Sequence, residues 1–282
     1  MKACAKINLF LDITGLDGNG YHLIDSVMQS VTLCDEIEIS EIDGKNIIIE
    51  CDKEGIPCDE RNITHKAAKA FFERTGFSKG IKIIINKKIP HEAGLGGGSA
   101  DAAAVLVELN DIFNTSFNTD ELCEIGKTVG ADVPFCIVGG TMRAGGIGEK
   151  LAVLPSMPNC HIVIAKPPFG VSTKRAYSDY DRLENPEKLD VKAVLTALEN
   201  ADINTLGNSL SNAFEQVVPF EKFRDIKEIM LQSGALGCLM SGSGSAVFAL
   251  FSEVQNAQRC AEKLDDICSR VHICEPCEKG VF

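Results

Sequence analysis

The sequence predicts an α+β protein in two domains, and three observations carry that prediction. Alternating and β-branched runs that read as strands are interspersed, along all 282 residues, with apolar-periodic runs that read as helices. Leu154-Pro155-Ser156-Met157-Pro158 is the clearest break, two prolines in a short loop, and divides the chain into 1–154 and 155–282. Each part holds one glycine-rich loop, Gly94-Leu95-Gly96-Gly97-Gly98 in the first and Ser241-Gly242-Ser243-Gly244-Ser245 in the second.

Taken in order, residues 6–13 alternate polar and apolar, a strand with Lys6 and Asn8 on one face. The turn-rich stretch 14–20 follows, and 24–33 leads into the acidic strand 35–39. The strand expected over 46–50 pairs naturally with it. Residues 62–74 are helical by pattern with Asn62 as N-cap, and the β-branched run 81–85 is a strand. A second helix covers 120–129, ended by Gly130; a strand is expected over 136–138 and a hairpin across 139–149. Beyond the break, strands are expected at 160–165, 246–251 and 271–274, with a short run at 238–240 before the second glycine loop, and helices at 191–198, 220–233 and 253–264. Met28 and Met230 sit on apolar faces and read as core.

Composition excludes several classes. A net charge of −12 disfavours nucleic acid or an anionic membrane as partner. No apolar run is long enough to cross a bilayer, and Met1-Lys2-Ala3-Cys4-Ala5-Lys6 lacks the apolar region of an export signal. The twelve cysteines are therefore expected as reduced thiols in a cytoplasmic protein. The sequons at Asn62 and Asn114 carry no meaning there. Cys274-Glu275-Pro276-Cys277 with His272 offers too few ligands for structural zinc and reads as coincidence in a cysteine-rich chain.

The stretch Pro90-His91-Glu92-Ala93-Gly94-Leu95-Gly96-Gly97-Gly98-Ser99-Ala100 organises the rest. It lies between a strand and a good helix former, so free N–H groups and the positive end of a helix dipole meet at one point. That point binds phosphate. It is no Walker loop, since no Lys-Ser/Thr pair follows the glycines, and Gly126-Lys127-Thr128 lacks the first glycine. It is no dinucleotide fingerprint, because Ser99 replaces the third glycine, and no protein-kinase signatures occur. Phosphoryl transfer also needs an oriented hydroxyl and charge neutralisation. Asp132, between Gly130 and Pro134, can serve as general base or be an ordinary turn aspartate. Lys6 can pair with a buried carboxylate or merely blunt an edge strand.

These motifs resemble the GHMP small-molecule kinases. Lys6-Ile7-Asn8-Leu9 is similar to the first family motif, residues 90–100 to the second and residues 241–246 to the third, in the expected order over nearly the whole chain. Gly20-Tyr21-His22, Met28-Gln29-Ser30 and Gly130-Ala131-Asp132-Val133-Pro134-Phe135 resemble one branch, whose acceptor is a cytidine-diphosphate-linked methylerythritol. The resemblance implies a two-domain fold: a ribosomal-protein-S5-domain-2-like nucleotide domain over 1–154, a ferredoxin-like substrate domain over 155–282, and a cleft between them. It implies ATP as co-substrate with Mg²⁺, the γ-phosphoryl group going to the acceptor's 2-hydroxyl. Asp132 would be the base, and Lys6 would lower the nucleophile's pKa and steady the developing charge. Residues 90–100 would wrap the phosphates, with Ser99 a candidate Mg²⁺ ligand and Asn62 on the adenine side. His22 would meet the cytosine edge, Tyr21 and Tyr177 its faces, and Asn8 the methylerythritol hydroxyls. Cys4 departs from the pattern, standing where the family usually has proline, and no separate magnesium glutamate is assigned; Glu149 reads equally well as a turn. Rival readings are a GHMP kinase for a phosphomevalonate or sugar, a GHMP-fold decarboxylase, and a nucleotide sensor. Gly20-Tyr21-His22 speaks against the first, retention of Lys6 and Asp132 against the last, and release of CO₂ would reveal the second.

Overall fold

A computed structural model describes residues 1–219 and 221–282, apart from the side chain of Lys222. The chain runs β1 (Lys2–Leu16), β2 (His22–Ile42), β3 (Ile47–Cys51), α1 (Ile63–Thr75), β4 (Gly80–Asn86), α2 (Gly97–Ile112), α3 (Thr119–Val129), α4 (Val133–Val138), β5 (Thr141–Gly145) and β6 (Lys150–Val153). After the proline break come β7 (His161–Lys166), α5 (Thr173–Tyr180), α6 (Lys192–Glu199), α7 (Ile203–Ser209), β8 (Ser211–Asn212) and a 3₁₀ turn over Ala213–Gln216. Then follow α8 (Glu221–Gln232), β9 (Gly237–Met240), β10 (Val247–Phe251), α9 (Val254–Leu264), β11 (Arg270–Cys274) and β12 (Pro276–Cys277). The helix predicted over 220–233 is α8; Phe220 lies outside the described residues.

The first sheet has the order β3-β4-β2-β1-β8, with β12 and the β5–β6 hairpin joined to β2. The second is antiparallel in the order β11-β7-β10-β9, the fourth, first, third and second strands of a ferredoxin-like β-α-β-β-α-β unit. Alternate residues of its strands serve two cores. Ile162, Ile164, Phe248 and Leu250 pack into the large cluster shared with β1 and α2, and Val163, Ala165, Val247 and Ala249 pack into a second cluster with α8 and α9. Residues after the break thus build the second sheet and also lend β8 and β12 to the first.

Local chemistry explains several helix starts. Asn62 caps α1, its Oδ1 accepting from the Thr64 amide at 2.9 Å. Asn118 and Glu121 form a reciprocal capping box at α3. Two expectations need correction. β3 pairs parallel with β4, not with the acidic strand; β4 takes the place beside β2 because Ile81, Ile83 and Ile85 are fully buried there, while β3 sits at the edge with Ile48 exposed. Residues 136–138 belong to α4 rather than to a strand. Pro134 near its start has a helical φ preset, and three apolar residues cannot by themselves distinguish helix from strand. Every residue of β1 from Ala3 to Ile13 is buried, since cores lie on both sides.

Candidate active site

The glycine loop is a main-chain construction. Gly96 sits in the left-handed region at φ 69° and is the N-cap of α2, with no side chain capping the first turn and no acidic residue in it. The amides of Gly97, Gly98 and Ser99 thus open a 16-residue helix with their N–H groups free for an anion. Two neighbours hold the loop. Leu95 O accepts from the Lys6 amide at 2.9 Å, and Ala93 O accepts from Ala246 N at 3.0 Å. Packing at Gly94 admits no side chain, because a Cβ there would stand 2.0 Å from Ser241 O. At Gly96 a Cβ would stand 2.9 Å from Lys6 Cγ. The lysine stem lies directly against the loop.

The second glycine loop is stitched to both. Ser241 Oγ donates to Gly94 O at 2.9 Å, and the Asn8 amide reaches the same hydroxyl at 3.4 Å. Asn212 on β8 donates from one side-chain amide to Met240 O and Gly242 O, each at 2.8 Å, which fixes the loop's path. The three motifs that lie far apart in sequence therefore converge on one cleft of about 930 Å³.

Lys6 is buried at its floor. Its Nζ donates to Asn8 Oδ1 at 2.6 Å and lies 3.7 Å from Asp132 Oδ2. Asn8 is oriented in turn by donating to Ser26 Oγ at 2.9 Å, and Ser26 donates to Phe10 O at 2.7 Å. Asp132 is the residue before α4, with its side chain one-third exposed to the cleft. The buried ammonium is thus shared by an amide oxygen and a carboxylate, and that carboxylate also faces the cleft.

Beneath the loop lies a second buried cation that the sequence reading missed. Lys87 Nζ contacts both Asp35 and Asp101, the latter at 2.7 Å, and Asp35 also accepts from the amides of Lys88 and Ile89 at 2.6 and 2.8 Å. Burial pushes the Asp101 carboxyl up to about 8, against the pull of Lys87, while Asp35 adds to the rise. The two carboxylates raise Lys87 despite the opposing effect of its own burial. Lys87, Pro90 and His91 also border a smaller hollow of about 300 Å³ lined by Lys53, Lys88, Lys166 and Arg270. Positive potential is thus concentrated beside the loop of an acidic chain.

The far end of the cleft is aromatic. Tyr177 on α5 packs edge-on against Phe214, with centroids 4.9 Å apart, and the His22 ring stacks on Tyr177 at 4.2 Å. His22 Nε2 lies 2.7 Å from Asp181 Oδ1. Burial raises the Tyr177 hydroxyl to about 12, with the Asp132 charge adding to it. Tyr21 stands at the mouth, 62 % exposed. Of the expected site residues, Lys6, Asn8, Tyr21, His22, Pro90 to Ser99, Asp132 and Tyr177 all line this one cleft. Ala100 is buried behind it. Asn62 does not line it: besides capping α1, its Nδ2 donates to Pro57 O at 2.7 Å, so the neighbouring Ile63 meets the cleft instead. Phe214, Asp181 and Asn212 had no signal in the sequence, for each acts only through partners from distant segments.

Comparison with known proteins gives a consistent set. Residues 62–140 match the model of the GHMP kinases N terminal domain, and residues 194–269 that of the GHMP kinases C terminal domain. The chain is 42 % identical to 4-diphosphocytidyl-2-C-methyl-D-erythritol kinase of Caldicellulosiruptor bescii, over 100 % of this chain and 99 % of that protein. It is 44 % identical to the kinase of the same name from Clostridium perfringens, over 94 % and 92 %. A crystal structure of 4-(cytidine 5'-diphospho)-2C-methyl-D-erythritol kinase superposes with a TM-score of 0.82 at 30 % identity, covering 98 % of each chain. Homoserine kinase from Cytophaga hutchinsonii shares the fold, with a TM-score of 0.76 at 23 % identity.

Proposed function

The chain belongs to the GHMP kinase family, and from that we propose that it phosphorylates 4-diphosphocytidyl-2-C-methyl-D-erythritol with ATP. The γ-phosphoryl group goes to the acceptor's 2-hydroxyl, giving the 2-phosphate and ADP in the non-mevalonate route to isoprenoid precursors. The observation that carries this reading beyond the names is the Lys6–Asp132 pair, 3.7 Å apart, at the foot of an uncapped helix N-terminus. Acceptor hydroxyl, base and phosphate cradle can meet in that space.

In this mechanism the amides of 97–99 and the α2 dipole hold the transferring phosphate. Asp132 accepts the hydroxyl proton as the oxygen attacks phosphorus, and the bond to the leaving ADP oxygen breaks. Lys6 lowers the cost of charge on the attacking oxygen and, held by Asn8, does so without reorganising. Asn8 also places a side-chain amide beside the acceptor's hydroxyls. Tyr177 and Phe214 give the pyrimidine an aromatic wall, His22 its edge partner, and Tyr21 a face at the mouth.

Mg²⁺ fits this site as the nucleotide's companion. Among the described residues no group of three or more His, Cys, Asp and Glu side chains is arranged to hold a metal, so Ser99 and the phosphates would hold it. Bound there, it would neutralise charge on the phosphate oxygens. The same reading assigns 1–154 to ATP and 155–282 to the acceptor, in a cytoplasmic enzyme whose twelve cysteines are free thiols.

The test is ADP release by the purified protein with ATP and Mg²⁺, with and without the cytidylyl methylerythritol. Acceptor-dependent ADP and a new phosphomonoester resonance in the phosphorus NMR spectrum are expected. Stimulation by a phosphomevalonate or sugar alone would retain the kinase and discard the acceptor.

A further inference from the structure

Three thiols meet where the chain's first strand touches its last residues. Cys4 on β1 and Cys34 on β2 face each other in the strand register, with Sγ atoms 2.7 Å apart. The Cys4 amide donates to Gly280 O at 2.8 Å, so Cys4 and Cys34 form a non-hydrogen-bonded cross-strand pair, the kind whose side chains approach most closely. Cys277 on β12 is the third: β12 pairs with β2 at Val31 and Ser30, and three residues further on Gly280 accepts the Cys4 amide. Cys4 and Cys34 are buried, whereas Cys277 is half-exposed. The mechanism uses none of them.

The segment that carries Cys277 is a strap between the two catalytic elements. Lys2 and Phe282 exchange backbone hydrogen bonds of 2.6 and 3.1 Å, and Ala3 bridges Val281. On its other side Gly280 is wedged against α4, where a Cβ would stand 1.8 Å from Cys136 O. β1 carries Lys6 and α4 follows Asp132, so the strap buttresses both halves of the catalytic pair. A proline at position 4, as in the family motif, could not donate to Gly280; the cysteine both makes that bond and places a sulfur beside Cys277.

We propose that Cys277, Cys4 and Cys34 form an oxidation site at which a hydroperoxide converts Cys277 and Cys4 into a reversible disulfide, with Cys34 as the alternative partner. The Cys277 sulfur attacks a peroxide oxygen, the O–O bond breaks, and an alcohol or water leaves, giving a sulfenic acid. The Cys4 sulfur then attacks that sulfur; the S–S bond forms, the S–O bond breaks, and hydroxide leaves with the Cys4 proton as water. Two thiols lose two electrons to one peroxide. Cys277 attacks first because it is the half-exposed thiol of the three; Cys4 lowers the Cys277 and Cys34 thiols alike, but Cys34 is buried with Cys4. The product ties β1 to the strap and closes a loop spanning nearly the whole chain.

The test is peptide mapping of the full chain without reduction, after treatment with stoichiometric hydrogen peroxide. A Cys4 peptide linked to the Cys277 or Cys34 peptide, lost on adding dithiothreitol, is expected. The oxidised chain should also unfold at a higher temperature than the reduced one, and Cys277→Ser should abolish both the Cys4–Cys277 link and that rise. Exposed Cys58, replaced by Ser, should change neither. Links confined to other cysteines, or sulfinic acid at Cys277 with Cys4 still free, would overturn the proposal. Kinase activity toward any acceptor has no bearing on the mapping, so the two tests fail separately.

Discussion

The two ends of the cleft are built by opposite means. At the phosphate end the groups that face the ligand are backbone amides of consecutive residues, 97–99, and the side chains around them serve to hold the main chain in place. At the aromatic end the backbone is remote, and three rings from β2, α5 and the 3₁₀ turn make the surface. A backbone device needs absent side chains and exact conformation; a ring device needs bulk and tolerates local variation. Between them, Lys6 and Asp132 belong to neither, for they need a single distance.

That contrast orders the consequences of substitution. Asp132→Asn should cost the most, on the order of 10²- to 10⁴-fold in kcat with ATP affinity retained, as expected for loss of a general base. Unchanged turnover in steady-state assays would remove Asp132 from that role. Gly96→Ala should follow, because it adds a left-handed strain of about 1–2 kcal/mol and drives a methyl into the Lys6 stem. A loss of roughly tenfold or more in kcat/KM for ATP is expected; a silent effect would show that the loop is less rigid than the aromatic end. Tyr177→Ala should raise KM for the cytidine acceptor by roughly tenfold, the range of one base–aromatic stack of about 1–3 kcal/mol, and spare ATP. Tyr177→Phe should be near neutral; a shift in ATP affinity alone would exchange the two pockets.

The smallest effect concerns the support below the loop. Burial raises the Asp101 carboxyl against the pull of Lys87, so the folded chain keeps that proton to a higher pH than the unfolded chain, which releases it in the ordinary carboxylate range. Its contribution to stability is therefore complete below that range and declines as pH rises towards about 8. Asp101→Asn mimics the protonated acid and should flatten the fall in melting temperature between those limits. An unchanged profile by calorimetry would mean that Asp101 stays ionised beside Lys87.

The same contrast explains what could be read in advance. The phosphate loop is contiguous, so its glycines, its strand and its helix were all visible in the sequence. Lys6 and Asp132 were visible only as residue types with two readings each, since a 3.7 Å approach between β1 and the start of α4 is a property of the fold. The ring device was half visible: Tyr21, His22 and Tyr177 were named, but Phe214 and Asp181 depend on where α5 and β8 land. Asn62 shows the opposite failure. Its capping role was legible from its place at the start of a helical pattern; the cap occupies its Oδ1 and a bond to Pro57 O its Nδ2. Among strands, length and composition found nearly all of them, while pairing partners such as β3 with β4 lie beyond what local pattern encodes.

The crossing of β1 by late segments has a consequence for biosynthesis. The strand bearing Lys6 emerges first, yet its neighbours on one side are Ser211–Asn212 and the residues around Val281. A nascent chain can collapse the β1–β2 ribbon and α1 to α4 while that edge stays open, an unpaired strand exposed to other chains. Closure waits for Ser211–Asn212 and the residues around Val281. Phosphotransfer competence should thus arrive only once residues 276–282 have been made, and deleting them should yield aggregation rather than a weaker enzyme.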